Sequence, residues 1–235
     1  MILCLETATS LCSAVLCDNK GVIAIRESDA GRSHASFLTV FAGELLREAG
    51  IEASGLEAIA VSKGPGSFTG LRIGVSAAKG IAYAASIPLI SVETTLIMFY
   101  GFRTKLSEKQ ALLPTDLFCP AIDARRMEIY HSVFDATGNI VKGICAEVIE
   151  RDSFSMFPPT SRIFLFGDGA SKCRDVLNSE NIIIDDDFRI SASFMQEPAY
   201  EAIKMRRFED VAYFEPFYLK DFLASKPAKN ILGKA

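Results

Sequence analysis

Residues Ile2-Leu3-Cys4-Leu5-Glu6-Thr7-Ala8-Thr9-Ser10-Leu11-Cys12-Ser13-Ala14-Val15-Leu16-Cys17-Asp18-Asn19-Lys20-Gly21 read as a buried strand ending on a carboxylate, a short polar loop, a second strand over 11–17 and a turn. A third strand is expected over 22–28. The same order returns later in the chain: an apolar run closes on Asp123, a further strand follows, and a turn carries Asp135 and Gly138. Carboxylate and turn aspartate lie twelve residues apart in both copies, and carboxylate and turn glycine fifteen. Turns favour Asp and Gly in any protein, so it is the matched spacing that argues for duplicated halves.

Working outward, helices are expected over Ser33–Ala49, ended by Gly50, over 69–85 ahead of Pro88, and over 94–103. Strands are expected at 57–62 and 89–92, and Thr104–Asp116 reads as a linker. Beyond the second copy come strands at 162–167 and 182–185, with a Gly167-Asp168-Gly169-Ala170 turn leading into a helix to about Leu177. A helix near 198–207 and a final helix from about Tyr218 close the chain. Duplicated strand–hairpin–strand units, each followed by helix–strand pairs, describe an α/β, actin-like ATPase (ASKHA) fold with a shortened second half. The subdomains expected are 1–103, completed by a C-terminal helix at about 215–235, and 104–214.

A length of 235 residues lies between one average domain and two, as such a pair requires. The net charge of −4 argues against a chain that grips nucleic acid alone. The six cysteines form no C-x-x-C pair and mostly sit in apolar runs, where Cys acts as a small hydrophobe. With no secretory signal read ahead of the first strand, a reduced, cytoplasmic setting is expected. No membrane span is expected either: the apolar run Gly80–Val92 contains Ser86 and Pro88 and stops at Glu93.

Between a strand and a helix lies Ser62-Lys63-Gly64-Pro65-Gly66-Ser67-Phe68-Thr69-Gly70-Leu71-Arg72-Ile73-Gly74. It resembles a phosphate cradle but fits neither the P-loop nor the dinucleotide spacing, because Thr69 stands where each needs its last glycine. Gly64, Gly66, Ser67, Thr69, Gly70 and Arg72 are therefore read as a tight entry into the helix, with nucleotide contact secondary. The close approach that its glycines permit is assigned to protein rather than to phosphate.

The cleft of such a fold would lie between Glu6 and Asp123. Neither following loop, Thr7-Ala8-Thr9-Ser10 or Ala124-Arg125-Arg126-Met127, contains glycine, and Arg125 and Arg126 read as filling or covering the cleft. Glu6 reads as a strand-end carboxylate bonded to its own turn. No catalytic residue, metal site or cofactor is assigned. His34 and His131 are far apart, and the position four after His34 is Leu38.

The two helices carry the stronger signal. On the first, Ala35, Leu38, Ala42, Leu45, Leu46 and Ala49 form one apolar stripe, while Phe37, Val40 and Phe41 occupy a second side. On the second, Leu71, Val75, Ala78, Ile81, Ala82 and Ala85 form a stripe, and Ile73, Ala77, Gly80 and Ala84 lie opposite. The second sides are read as a partner interface.

At these residues the chain resembles the TsaB (YeaZ) family. The carriers are Leu3–Thr9, Gly64–Gly74 and Ala121-Ile122-Asp123-Ala124-Arg125, supported by Gly167–Ala170 and Tyr218-Leu219-Lys220. The resemblance implies a catalytically silent scaffold that pairs with TsaD, the subunit transferring threonylcarbamoyl to the adenosine beside the tRNA anticodon, with the ATPase TsaE completing the set. It implies pairing through the first two helices, self-association through the same face when alone, and tRNA met only through the complex. TsaD-type relatives carry a His-x-x-x-His metal motif on the first helix; here the second ligand position is Leu38, which removes that chemistry and a peptidase role. A nucleotide at the TsaD junction stays open, as does tRNA contact by Arg125, Arg126, Lys226, Lys229 and Lys234. The competing reading is an ATP-dependent small-molecule kinase of the same fold.

Overall fold

The first hairpin closes because Asp18 Oδ1 accepts the amides of Lys20 (2.8 Å) and Gly21 (3.1 Å), tying β1 (Ile2–Glu6) and β2 (Cys12–Asp18) to β3 (Gly21–Ser28). In the second copy Asp135 Oδ1 accepts the amides of Thr137 (2.8 Å) and Asn139 (2.9 Å). The computed structural model describes residues 1–29 and 34–220, with His34 described by its backbone alone.

The remaining elements of the first half are α1 (His34–Glu48), β4 (Ala58–Gly64), α2 (Phe68–Ala85), β5 (Leu89–Glu93) and α3 (Thr94–Ser107). Those of the second are β6 (Leu117–Asp123), β7 (Glu128–Asp135), β8 (Ile140–Val148), β9 (Ile163–Phe166), β10 (Ile182–Asp185) and α4 (Gln196–Lys204). The first sheet runs β3-β2-β1-β4-β5 and the second β8-β7-β6-β9-β10. In each, the central strand pairs antiparallel with its hairpin partner and parallel with the strand after the crossover. Equal order and equal sense make this the duplicated, actin-like fold.

The halves differ in what covers them. The outer face of the first sheet packs Leu3, Leu5, Leu16, Ile59 and Val61 against Leu38 and Leu45 of α1 and Val75 and Ala78 of α2. The outer face of the second is covered by loop residues Ile149, Phe154, Cys173 and Leu177. Where α2 links β4 to β5, only a 3₁₀ turn at Ser171–Cys173 stands between β9 and β10, so the helix expected to reach Leu177 is a single turn. The inner faces meet α3 and α4 in a phenylalanine-rich core that includes Phe99, Phe118, Phe134 and Phe166, with Phe102 stacked on Phe166 at 3.9 Å.

Two further expectations are corrected. Helix α3 does not stop at 103 but runs to Ser107, because Phe102 and Leu106 continue its inward stripe; the linker shrinks accordingly. Residues 215–220 are not helical: the chain there lies across the first half, with the Phe217 amide donating to the Lys63 carbonyl (2.7 Å). Residues 221–235, with Lys226, Lys229 and Lys234, lie outside the described residues. Among the described residues no helix is long and apolar enough to cross a membrane.

Helix α2 ends on Ser86 in the left-handed conformation (φ 54°, ψ 41°), a cap position that glycine fills without steric cost. Ser86→Gly should therefore raise stability by about 1 kcal/mol. Urea unfolding checks it; an unchanged or lower midpoint would contradict the cap assignment.

Candidate partner surface beside a filled cleft

The glycine run is occupied, and by the chain itself. A Cβ added at Gly66 would collide with Ala8, and one at Gly70 with the Thr7 carbonyl, each at well under 3.0 Å. At Gly64 (φ +118°) the added atom would stand 2.5 Å from the Phe217 carbonyl oxygen. Hydrogen bonds lock the same contacts: Ser67 N donates to the Ala8 carbonyl (2.7 Å), and Thr7 Oγ1 donates to the Gly70 carbonyl (2.8 Å). The first hairpin loop therefore occupies the space that Gly66 and Gly70 leave open. Ser67 caps α2 by accepting the Gly70 amide. Thr69 is exposed. Arg72 lies over the Phe68 ring (3.9 Å) and donates from Nε to the Tyr218 hydroxyl (3.1 Å).

The two strand-end carboxylates have become unlike. Glu6 is fully buried, and its Oε1 accepts the Ala8 amide at 2.5 Å. Burial pushes its carboxyl up to about 7, against the pull of the Ala8 amide. Asp123 is half-exposed, pairs with Lys172, and accepts the Arg125 amide (2.9 Å). Around the second loop the Ala124 amide donates to the Glu128 carbonyl and the Asp123 amide to Asp168 Oδ1. Arg125 and Arg126 are exposed and both left-handed (φ 69° and 52°), a conformation uncommon for residues other than glycine. Lys220, at the end of the described chain, pairs with Glu128, so residues 217–220 bridge from the first half to this loop.

The second sides of α1 and α2 lie at the surface. Phe37 and Phe41 are half-buried and stacked at 5.6 Å, and Val40 is 51% exposed. Ile73 and Ala77 are half-buried, and Gly80 and Ala84 are exposed. Between the helices runs a groove of about 620 Å³, lined by Leu38, Phe68, Arg72, Ile73 and Ala77 among others. Sequence reasoning missed Tyr83, 81% exposed on the same face of α2; its position three beyond Gly80 was the available signal.

A family model described as TsaD, tRNA N6-adenosine threonylcarbamoyltransferase, matches residues 23–185. TsaB of Escherichia coli (strain K12), a tRNA threonylcarbamoyladenosine biosynthesis protein, is 33% identical over 138 residues, 59% of this chain and 56% of that protein. Two solved structures from Pseudomonas aeruginosa, YeaZ and a protein with similarity to peptidase YeaZ, superpose with TM-scores of 0.80 and 0.81. Each is 24% identical and covers 93% of this chain and 99% of the other. The chain belongs to the TsaD/TsaB (YeaZ) family. TsaB of Haemophilus influenzae is 32% identical over 131 residues, 52% of its length. The chain thus spans about half the length of these curated relatives in alignment. Within a family whose model bears a transferase's description, this TsaB-like chain keeps Leu38 fully buried in the core beneath α1.

Sequence reasoning also missed the surroundings of His131. It is fully buried on β7, with Cys119, Cys145 and Glu147 around its ring. These partners come from neighbouring strands, a proximity that only the hairpin register reveals.

Proposed function

We propose that the chain is a non-catalytic subunit of tRNA threonylcarbamoyladenosine synthesis that holds a TsaD transferase through the exposed α1–α2 face, in the cytoplasm and together with TsaE. It meets tRNA through that complex and, alone, self-associates through the same face. The observation that carries this reading is the surface-lying apolar set of Phe37, Val40, Phe41, Ile73, Ala77, Gly80 and Ala84, of which Ile73 and Ala77 line a groove of about 620 Å³ between the helices. The chemistry elsewhere supports it. Leu38 holds the place of a second imidazole, and the first hairpin loop fills the glycine run.

Gly80→Arg tests the surface cleanly, since among the described residues nothing outside its own helix backbone lies within 4 Å of an added Cβ and the isolated fold should survive. Ala77→Glu is the companion variant. Each should weaken co-elution with TsaD by about 100-fold, because a charge would be buried unpaired in the interface. Undiminished binding by both, measured by size-exclusion chromatography, would remove the assignment. Mg-ATP calorimetry and phosphate release test the kinase alternative; turnover by the isolated chain that depends on Glu6 would overturn the scaffold reading.

A further inference from the structure

The outer face of the second sheet holds a group of metal-ligating side chains outside the cleft and the α1–α2 face. His131 on β7 is the direct cross-strand partner of Cys145 on β8, and Glu147 lies two residues further along the same face. His131 Nε2 is 2.7 Å from Glu147 Oε2 and 3.4 Å from Cys145 Sγ, and Cys145 Sγ is 4.0 Å from Glu147 Oε2. Three ligand atoms of a tetrahedral zinc ion stand roughly 3.4–3.6 Å apart, given bonds of about 2.0–2.3 Å to nitrogen, oxygen and sulfur. The three observed separations straddle that range, and side-chain shifts of roughly half an ångström would bring them to it. Behind the ring, Cys119 Sγ lies 3.6 Å from His131 Nδ1, on the side opposite the proposed ion. With an ion on Nε2 the ring carries its proton on Nδ1, where Cys119 Sγ stands within reach to accept it. The Phe154 ring, 5.8 Å away, walls the site on its apolar side.

We infer that His131, Cys145 and Glu147 bind a zinc-class divalent ion with three protein ligands and solvent in the fourth position. A thiolate and an imidazole select zinc over magnesium or calcium. Lys142 is the group that bears on this most directly. Its ammonium donates to Glu147 Oε2 at 2.5 Å, so a cation already balances the carboxylate. Partly exposed on its flexible stem, it swings out to solvent when the divalent ion takes its place. The ion would clamp β7 to β8 where loops rather than helices cover the sheet.

The test is a cobalt(II) titration of the full, untagged chain, kept reduced with a phosphine. The expected result is one equivalent bound, with a thiolate-to-cobalt charge-transfer band and tetrahedral visible absorption, both abolished by added zinc. Cys145→Ser should remove the charge-transfer band and weaken zinc by roughly 100-fold or more, beyond what loss of an outer-shell partner costs. His131→Gln should do the same to the visible bands, while far-UV circular dichroism confirms folding of both variants. Lys142→Ala should tighten binding about tenfold by removing the competing ammonium. A charge-transfer band that survives Cys145→Ser would place the metal on another of the six cysteines and overturn the site. Absence of the band in both the wild-type chain and Lys142→Ala would overturn it too.

Discussion

Gly70→Ala should destabilise the chain by about 3 kcal/mol, a large part of the stability of a modest domain. The added methyl would overlap the Thr7 carbonyl oxygen at well under 3.0 Å, and that oxygen is backbone, without a rotamer to turn aside. Relief requires moving the first hairpin loop off α2. That movement breaks Thr7 Oγ1 to the Gly70 carbonyl and Ser67 N to the Ala8 carbonyl, each worth about 1 kcal/mol. Overpacking adds about 1–3 kcal/mol, and the better helix propensity of alanine returns about 1. Gly80→Ala, in the same helix but facing open space, is the control and should gain up to about 1 kcal/mol. Urea unfolding of the pair decides. Equal effects from the two substitutions would mean that Gly70 is not the point where hairpin and helix interlock.

That interlock marks the limit of what one sequence discloses. The duplication was legible because Asp18 and Asp135 each open a turn by accepting the amide two residues on, and a spacing survives in one dimension. The buried stripes were legible too, since Leu38, Ala42, Leu45, Val75, Ala78 and Ala82 recur at helical intervals. What lies against Gly66 and Gly70 was not legible: its residues are about sixty positions away and are brought there by the parallel pairing of β1 with β4. The protein that approaches these glycines is the chain's own first hairpin loop and not a partner. The helix expected before Leu177 failed for a related reason. Its apolar residues are real, yet Cys173 and Leu177 cover the sheet from a turn and a loop. The group around His131 needed the β7–β8 register, which a search by sequence interval does not supply.

Glu6→Gln should flatten the stability profile of the chain between about pH 4.5 and pH 7. The Glu6 carboxyl, pushed up to about 7 by burial, stays protonated in the folded state after the unfolded chain has ionised at its ordinary value of 4.5. Across that window the folded state binds more protons, so raising the pH favours unfolding. The stability tied to the neutral acid is complete below the lower value and lost above the upper one, a span of about 3 kcal/mol. Other groups tilt the same window. Burial raises Asp168, with the same sign; burial lowers His131, which costs stability as pH falls. The quantity to measure is therefore the difference between variant and wild type by urea unfolding from pH 4.5 to 8. Glutamine keeps the oxygen that accepts the Ala8 amide but cannot ionise. The two proteins should converge at the acid end, with the variant ahead by up to about 3 kcal/mol at pH 8. A parallel offset with no change of slope would mean that Glu6 ionises without cost. Because the Glu6–Ala8 bond shapes the loop seated against Gly66 and Gly70, the variant also separates a structural carboxylate from a catalytic one. A structural Glu6 predicts full activity of the reconstituted transferase with the glutamine variant, and a large loss there would return the cleft to chemistry.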